Sequence, residues 1–167
     1  MMARTFRYWS LVFLLGFGLS ASALDIPKEL WGKWRITRIL PAKTISCWGN
    51  KEAKQLLGTE IDYGAHLLRW QTTKASHVDS EMREVTAEQF ETESSSQSAN
   101  GSQVNLRQLG IRAIKVQQVL IKHDDAKVTG TTTELPGDDV LIKRKNTIVF
   151  SVCNVYFEAR RISAASR

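Results

Sequence analysis

Two cysteines, Cys47 and Cys153, are the residues of this sequence whose type most directly specifies chemistry. Two thiols in one chain can pair as a disulfide, ligate a metal or act as a nucleophile, and their surroundings decide among these. No histidine stands beside either cysteine, so a thiol activated by a neighbouring imidazole has no local partner. A bridge between them closes a loop of roughly 100 residues, for which the chain-entropy model gives about 4 to 5 kcal/mol. His66, His77 and His123 are too far apart for a local metal motif. Asp124-Asp125 and Asp138-Asp139 read as turn residues, because an Asp side chain caps nearby amides, rather than as acid/base pairs. No serine lies in a nucleophile elbow and no glycine-rich phosphate loop is present. The expectation is a protein with no catalytic residue, no metal ligand and no cofactor.

Aromatic residues are the other candidates for a site. Trp34 and Trp70 alternate with Ile36 and Leu68, and Phe150 and Phe157 occupy equivalent inward positions further on. Core packing accounts for them, and so does the lining of an apolar cavity in a barrel mouth. A lined space of roughly 300 Å³ or more would favour the second. Lys and Arg total 23 against 17 Asp and Glu, an excess of +6 that falls to +4 without Arg4 and Arg7. Basic residues such as Lys33, Arg35 and Arg38 are interleaved with apolar ones, as on a solvated strand face, so no nucleic-acid partner is expected.

These residues must be placed by the elements around them. Residues 1–23 run from Arg4 and Arg7 through an apolar stretch at 8–19 to Ala21-Ser22-Ala23, the order of a cleaved signal peptide. About a dozen apolar residues fall short of the ~20 of a spanning helix, so no stable membrane anchor is expected after cleavage. Residues 24–167 then form one domain in a periplasmic or extracellular setting that permits a disulfide. Asn100-Gly101-Ser102 fits a glycosylation acceptor, relevant only in a host that glycosylates.

Period-two alternation predicts strands at 30–40, 59–63, 66–71, 114–122, 127–133, 140–144, 147–152 and 155–162, with room for a ninth near 76–85. Asn50 is expected to cap a short helix at 51–57 that ends at Gly58, and Thr86 to cap a helical turn at 87–90. A Ser-rich stretch at 94–102 reads as a surface loop. Turns fall at Asp124-Asp125, Pro136-Gly137-Asp138, Lys145-Asn146 and Cys153-Asn154. The pattern is mostly β: an antiparallel up-and-down barrel of about eight strands with one or two short helices. Closing the barrel pairs its first and last strands and removes two exposed edges. It also carries Cys47, just after the first strand, towards Cys153, just before the last.

Gly32-Lys33-Trp34 resembles the Gly-x-Trp start of lipocalin-like (calycin) barrels. That resemblance implies that Trp34 plugs the barrel base and that a basic residue of the last strand, Arg160 or Arg161, packs across it. The chain is also similar to small exported bacterial proteins of no assigned function, through Ile45-Ser46-Cys47, Leu57-Gly58-Thr59-Glu60-Ile61-Asp62-Tyr63, Leu109-Gly110-Ile111 and Val155-Tyr156-Phe157-Glu158. This likeness implies a barrel and brings no activity with it. The expected function is a non-catalytic secreted or periplasmic protein holding a small apolar ligand in its barrel. The alternative is a protein-binding inhibitor or immunity-type module of the cell envelope.

Overall fold

A computed structural model describes residues 25–41, 48–76, 78–96, 103–123 and 135–163. The expectations at 1–23, Cys47, His77, Asn100, Asp124-Asp125 and 127–133 lie outside the described residues. The strands are β1 (Gly32–Ile39), β2 (Glu60–Gly64), β3 (Leu67–Trp70), β4 (Thr73–Ser76), β5 (Asp79–Thr86), β6 (Lys115–Lys122), β7 (Asp139–Arg144), β8 (Thr147–Val152) and β9 (Val155–Arg161). Two helices, α1 (Asn50–Gln55) and α2 (Ala87–Ser96), complete the described elements.

All nine strands belong to one curled half-barrel sheet, in the order β4-β3-β2-β1-β9-β8-β7-β6-β5. First and last strands pair as expected, with Trp34 opposite Arg161 and Ile39 opposite Phe157. Every ladder is antiparallel. Eight successive reversals leave β4 and β5 running in the same sense, so the chain crosses from one margin of the sheet to the other without turning back. Strand β5 falls at the ninth position expected near 76–85, and β4 is a strand the alternation did not predict. Among the described residues β4 and β5 pair on one side only and are the sheet's margins. The lead segment bridges that corner: Ile26 N donates to Ala65 O at 2.9 Å, and Ser80 Oγ donates to Asp25 O at 2.7 Å.

Alternation sends side chains to two faces. On β1, Trp34 and Ile36 are buried while Lys33, Arg35 and Thr37 are exposed. The inner cluster gathers these with Ile61, Tyr63, Leu68, Trp70, Ile148, Phe150 and Phe157. A second cluster on the outer face joins Leu40, Val85, Phe90, Leu141 and Val149 to Val104, Leu106, Leu109 and Ile111 from residues 103–113. Burial on both faces explains why β8 reads as a nearly continuous apolar run, TIVFSV.

The helices differ in detail from the sequence expectation. Helix α1 starts at Asn50 itself, with Gly49 in the cap position and no side-chain cap, because the asparagine is already helical. Gly58 has φ +82°, where glycine carries no steric penalty, and its N–H closes on Ile36 O at 2.8 Å. Thr86 caps α2 reciprocally: Gln89 N donates to Thr86 Oγ1 at 3.2 Å, and Thr86 N donates to Gln89 Oε1 at 2.9 Å. The helix then runs to Ser96, past the single turn expected. Phe90 lays it onto Tyr156 edge-on, with centroids 6.4 Å apart.

Candidate functional site

The six inward residues expected to line a cavity all belong to one packed core cluster. Trp34, Leu68 and Phe157 are 0% exposed, Ile36 and Phe150 1%, and Trp70 8%. Trp34, Ile36, Leu68 and Phe157 are closed to a water-sized probe, whereas Trp70 borders a concavity of about 400 Å³ that it shares with Trp48, Glu52, Leu56 and Gln71. Phe150 and Phe157 stack with centroids 5.4 Å apart. Trp70 Nε1 donates to Thr59 Oγ1 at 3.0 Å, and Trp34 Nε1 donates to Leu30 O at 2.6 Å, so both buried indoles have their hydrogen-bond partner.

Arg161 is the basic residue that closes the base. Its guanidinium lies 4.2 Å from the Trp34 ring centroid and donates to Trp31 O and Glu29 O. Those two carbonyls belong to the lead segment, which Ile26 and Leu30 bury beneath the barrel. Gly32 has φ +106°, and a Cβ there would sit 3.5 Å from Arg161 Nη1. Arg160, one residue earlier, points to the opposite face by strand alternation.

Cys153 is buried at the β8–β9 turn, where it and Asn154 have φ of +53° and +61°. Two successive left-handed residues make the tight hairpin turn expected there. Of the histidines, His66 Nδ1 lies 3.3 Å from Asp25, and His123 Nε2 lies 3.6 Å from Asp138. Among the described residues no group of three or more His, Cys, Asp or Glu is placed to hold a metal ion.

The feature with the strongest chemical character is on the outer face, where β1, β9, β8 and β7 lie side by side. Glu158 of β9 forms its floor, with its carboxylate 3% exposed. The β1–β9 register sets Arg38 opposite Glu158, and Arg38 Nη2 donates to Glu158 Oε2 at 2.7 Å. Lys143 of β7 reaches the same oxygen at 2.8 Å and also donates to Leu109 O at 3.0 Å. That second bond ties residues 103–113 over the sheet as a wall. Gly110 makes the close approach feasible: it has φ +71°, and a Cβ there would lie 2.7 Å from Lys143 Nζ. The resulting cleft measures about 560 Å³ and is lined by Arg38, Lys143, Arg144, Glu158, Arg160 and Arg112, among others.

Five cationic side chains therefore surround one carboxylate. Burial alone would raise the Glu158 carboxyl; the hydrogen bonds and charges of Lys143 and Arg38 outweigh burial and hold it below the ordinary glutamate value. It stays an anion and occupies those two cations. Arg160 stands further off, 3.7 Å from Glu158 Oε1. Among the described residues no carboxylate lies within ion-pair distance of Arg112 or Arg144. The cleft is thus a concave site with surplus positive charge.

Beside it, under α2, lies a second polar group. Gln118 Nε2 donates to Asp139 Oδ1 at 2.7 Å, Arg83 Nε donates to Gln118 Oε1 at 3.0 Å, and Arg83 also pairs with Glu93 of α2. Burial, helped by the charge of Asp138, pushes the Asp139 carboxyl up to about 6.

The chain matches no family model, and no curated protein or solved structure matches it. Sequence reasoning missed the cleft because its basic residues look like solvated strand positions one at a time. The pairing that brings Arg38 and Lys143 to Glu158, and the wall at 103–113, depend on register and packing that no local pattern carries.

Proposed function

We propose that this protein is exported, non-catalytic, and uses the outer cleft to bind an anionic group. The observation that carries this reading is a 560 Å³ concavity lined by five cations and one carboxylate. Its volume falls in the range of small-molecule pockets, roughly 300–1,000 Å³. Guanidinium groups match the oxygen pairs of phosphate and carboxylate in a bidentate fashion. The packing of Trp34, Ile36, Leu68 and Phe157 gives no support to an apolar ligand held among them. Export rests on the charged, apolar and small-residue order of residues 1–23. Pairing of Cys47 with Cys153 suits that compartment, and it is supported by the burial of Cys153 and by the lack of any free cysteine among the described residues. The protein-binding alternative, an inhibitor or immunity-type module, draws on the same charge, since an acidic segment of an envelope protein would also be steered to it. The concave shape favours the compact anion.

Calorimetric titration with pyrophosphate tests the reading. Binding should weaken as salt rises, and Arg112→Gln or Arg144→Gln should each weaken it about tenfold, the scale of one charge-assisted hydrogen bond. Absence of binding at low salt, or binding unaffected by both substitutions, would remove the cleft as the recognition surface.

A further inference from the structure

We infer that the anion entering the cleft is the phosphate of a lipid headgroup, and that Ile114 enters the adjoining apolar layer as the cleft meets the membrane. The inference rests on the anion-binding reading above and adds the source of the anion.

Ile114 is 82% exposed, against 48% for Met82 and 39% for Leu57, the other large exposed hydrophobics among the described residues. A single exposed isoleucine is ordinary on a protein surface. Its location is what matters here. It follows directly on Arg112 and Ala113, both of which line the cleft and are themselves exposed. An apolar side chain at the rim of a cationic site is the arrangement by which a peripheral protein engages an anionic bilayer: the cations meet headgroup phosphates while the apolar group sinks below them.

The wedge is also held in place. Ile114 O accepts a hydrogen bond from Ala87 N at 3.0 Å, which fixes it against the first residue of α2. The next residue, Lys115, is exposed and paired with Glu84 at 2.7 Å, so the start of β6 is anchored too. A wedge ordered before contact loses little freedom on binding. Among the described residues no aromatic side chain lines the cleft. A nucleobase would therefore find nothing to stack on, whereas a phosphate needs only the guanidinium groups. Among the described residues no helix is long and apolar enough to cross a membrane, so the contact would be peripheral.

The test is sedimentation of the purified exported protein with vesicles of equimolar phosphatidylglycerol and phosphatidylcholine, beside vesicles of phosphatidylcholine alone. Pyrophosphate titration is run on the same preparations. The protein should pellet with the anionic vesicles and stay in solution with the neutral ones. Arg144→Gln should lower partitioning about fivefold, the scale of one basic residue at such a surface. Ile114→Ser should lower partitioning about tenfold, the scale of one buried isoleucine, while leaving pyrophosphate binding unchanged. Pyrophosphate binding without vesicle binding would overturn the lipid source and leave the cleft reading standing. Loss of both would overturn both. Partitioning undiminished in Ile114→Ser would overturn the inference as well, since the wedge would then do nothing. Ile114 is so exposed that its substitution should leave the melting temperature unchanged, which the same preparations can confirm.

Discussion

Glu158 shows how one buried carboxylate can organise a basic surface. Without it, Arg38 and Lys143 would repel each other across β9 and swing outwards; with it they are held 2.7 and 2.8 Å from one oxygen. Removing one member of a buried ion pair leaves the other charge unsatisfied, so Glu158→Gln should destabilise the fold by about 3 kcal/mol. Its carboxyl is held low in the folded state, so the contribution is present above the unfolded glutamate value and lost as pH falls through the folded one. Asp139 behaves oppositely. Its folded carboxyl titrates near 6, against 3.8 in an unfolded chain, so the folded state holds the proton more tightly. That stability is complete below about pH 4 and gone once pH passes about 6. Asp139→Asn should therefore flatten the dependence of Tm on pH in that window and raise stability at pH 7 by up to about 3 kcal/mol. Thermal melts of wild type and variant from pH 4 to 7 check this, and a Tm difference between the two that stays constant across the window would contradict it.

At the scale of elements, the segment 103–113 decides whether a cleft exists. Four buried apolar residues, Val104, Leu106, Leu109 and Ile111, fix it to the outer face, and Gly110 brings its backbone against Lys143. Gly110→Ala puts a methyl group 2.7 Å from Lys143 Nζ and demands a backbone conformation that alanine resists. It should cost about 1 to 2 kcal/mol and weaken pyrophosphate binding, whereas a neutral result in both would mean that the wall is not set by this contact. The β8–β9 hairpin carries the cysteine prediction. Thiol titration of the denatured, unreduced protein should find no free thiol, and reduction should lower Tm; two titratable thiols before reduction would refute the bridge. Legibility varied among elements for physical reasons. Strand β1 was readable because it buries one face and so alternates, and β8 because burial on both faces makes it a short apolar run bounded by turn residues. Strand β4, Thr73–Ser76, has Ala75 as its one buried residue whose side chain is described, and it left no pattern to find. The Arg161 contact with Trp34 was foreshadowed by the likeness of Gly32-Lys33-Trp34 to the start of lipocalin-like barrels, whereas the choice between Arg160 and Arg161 needed the β1–β9 register.

For the molecule as a whole, a curled sheet with a packed inner face and a partly covered outer face leaves its edges and the rest of its outer surface to meet other molecules. The inner and outer clusters together place apolar residues on both faces of β7, β8 and β9, so these strands form a rigid floor. Rigid placement suits a site that must hold guanidinium groups ready for an anion without a conformational change. The most direct measurement is native mass spectrometry of the protein purified from its own host. The account predicts a retained anionic species that is released by salt and is missing from an Arg112→Gln, Arg144→Gln double variant; a neutral apolar molecule retained equally by wild type and variant would contradict it.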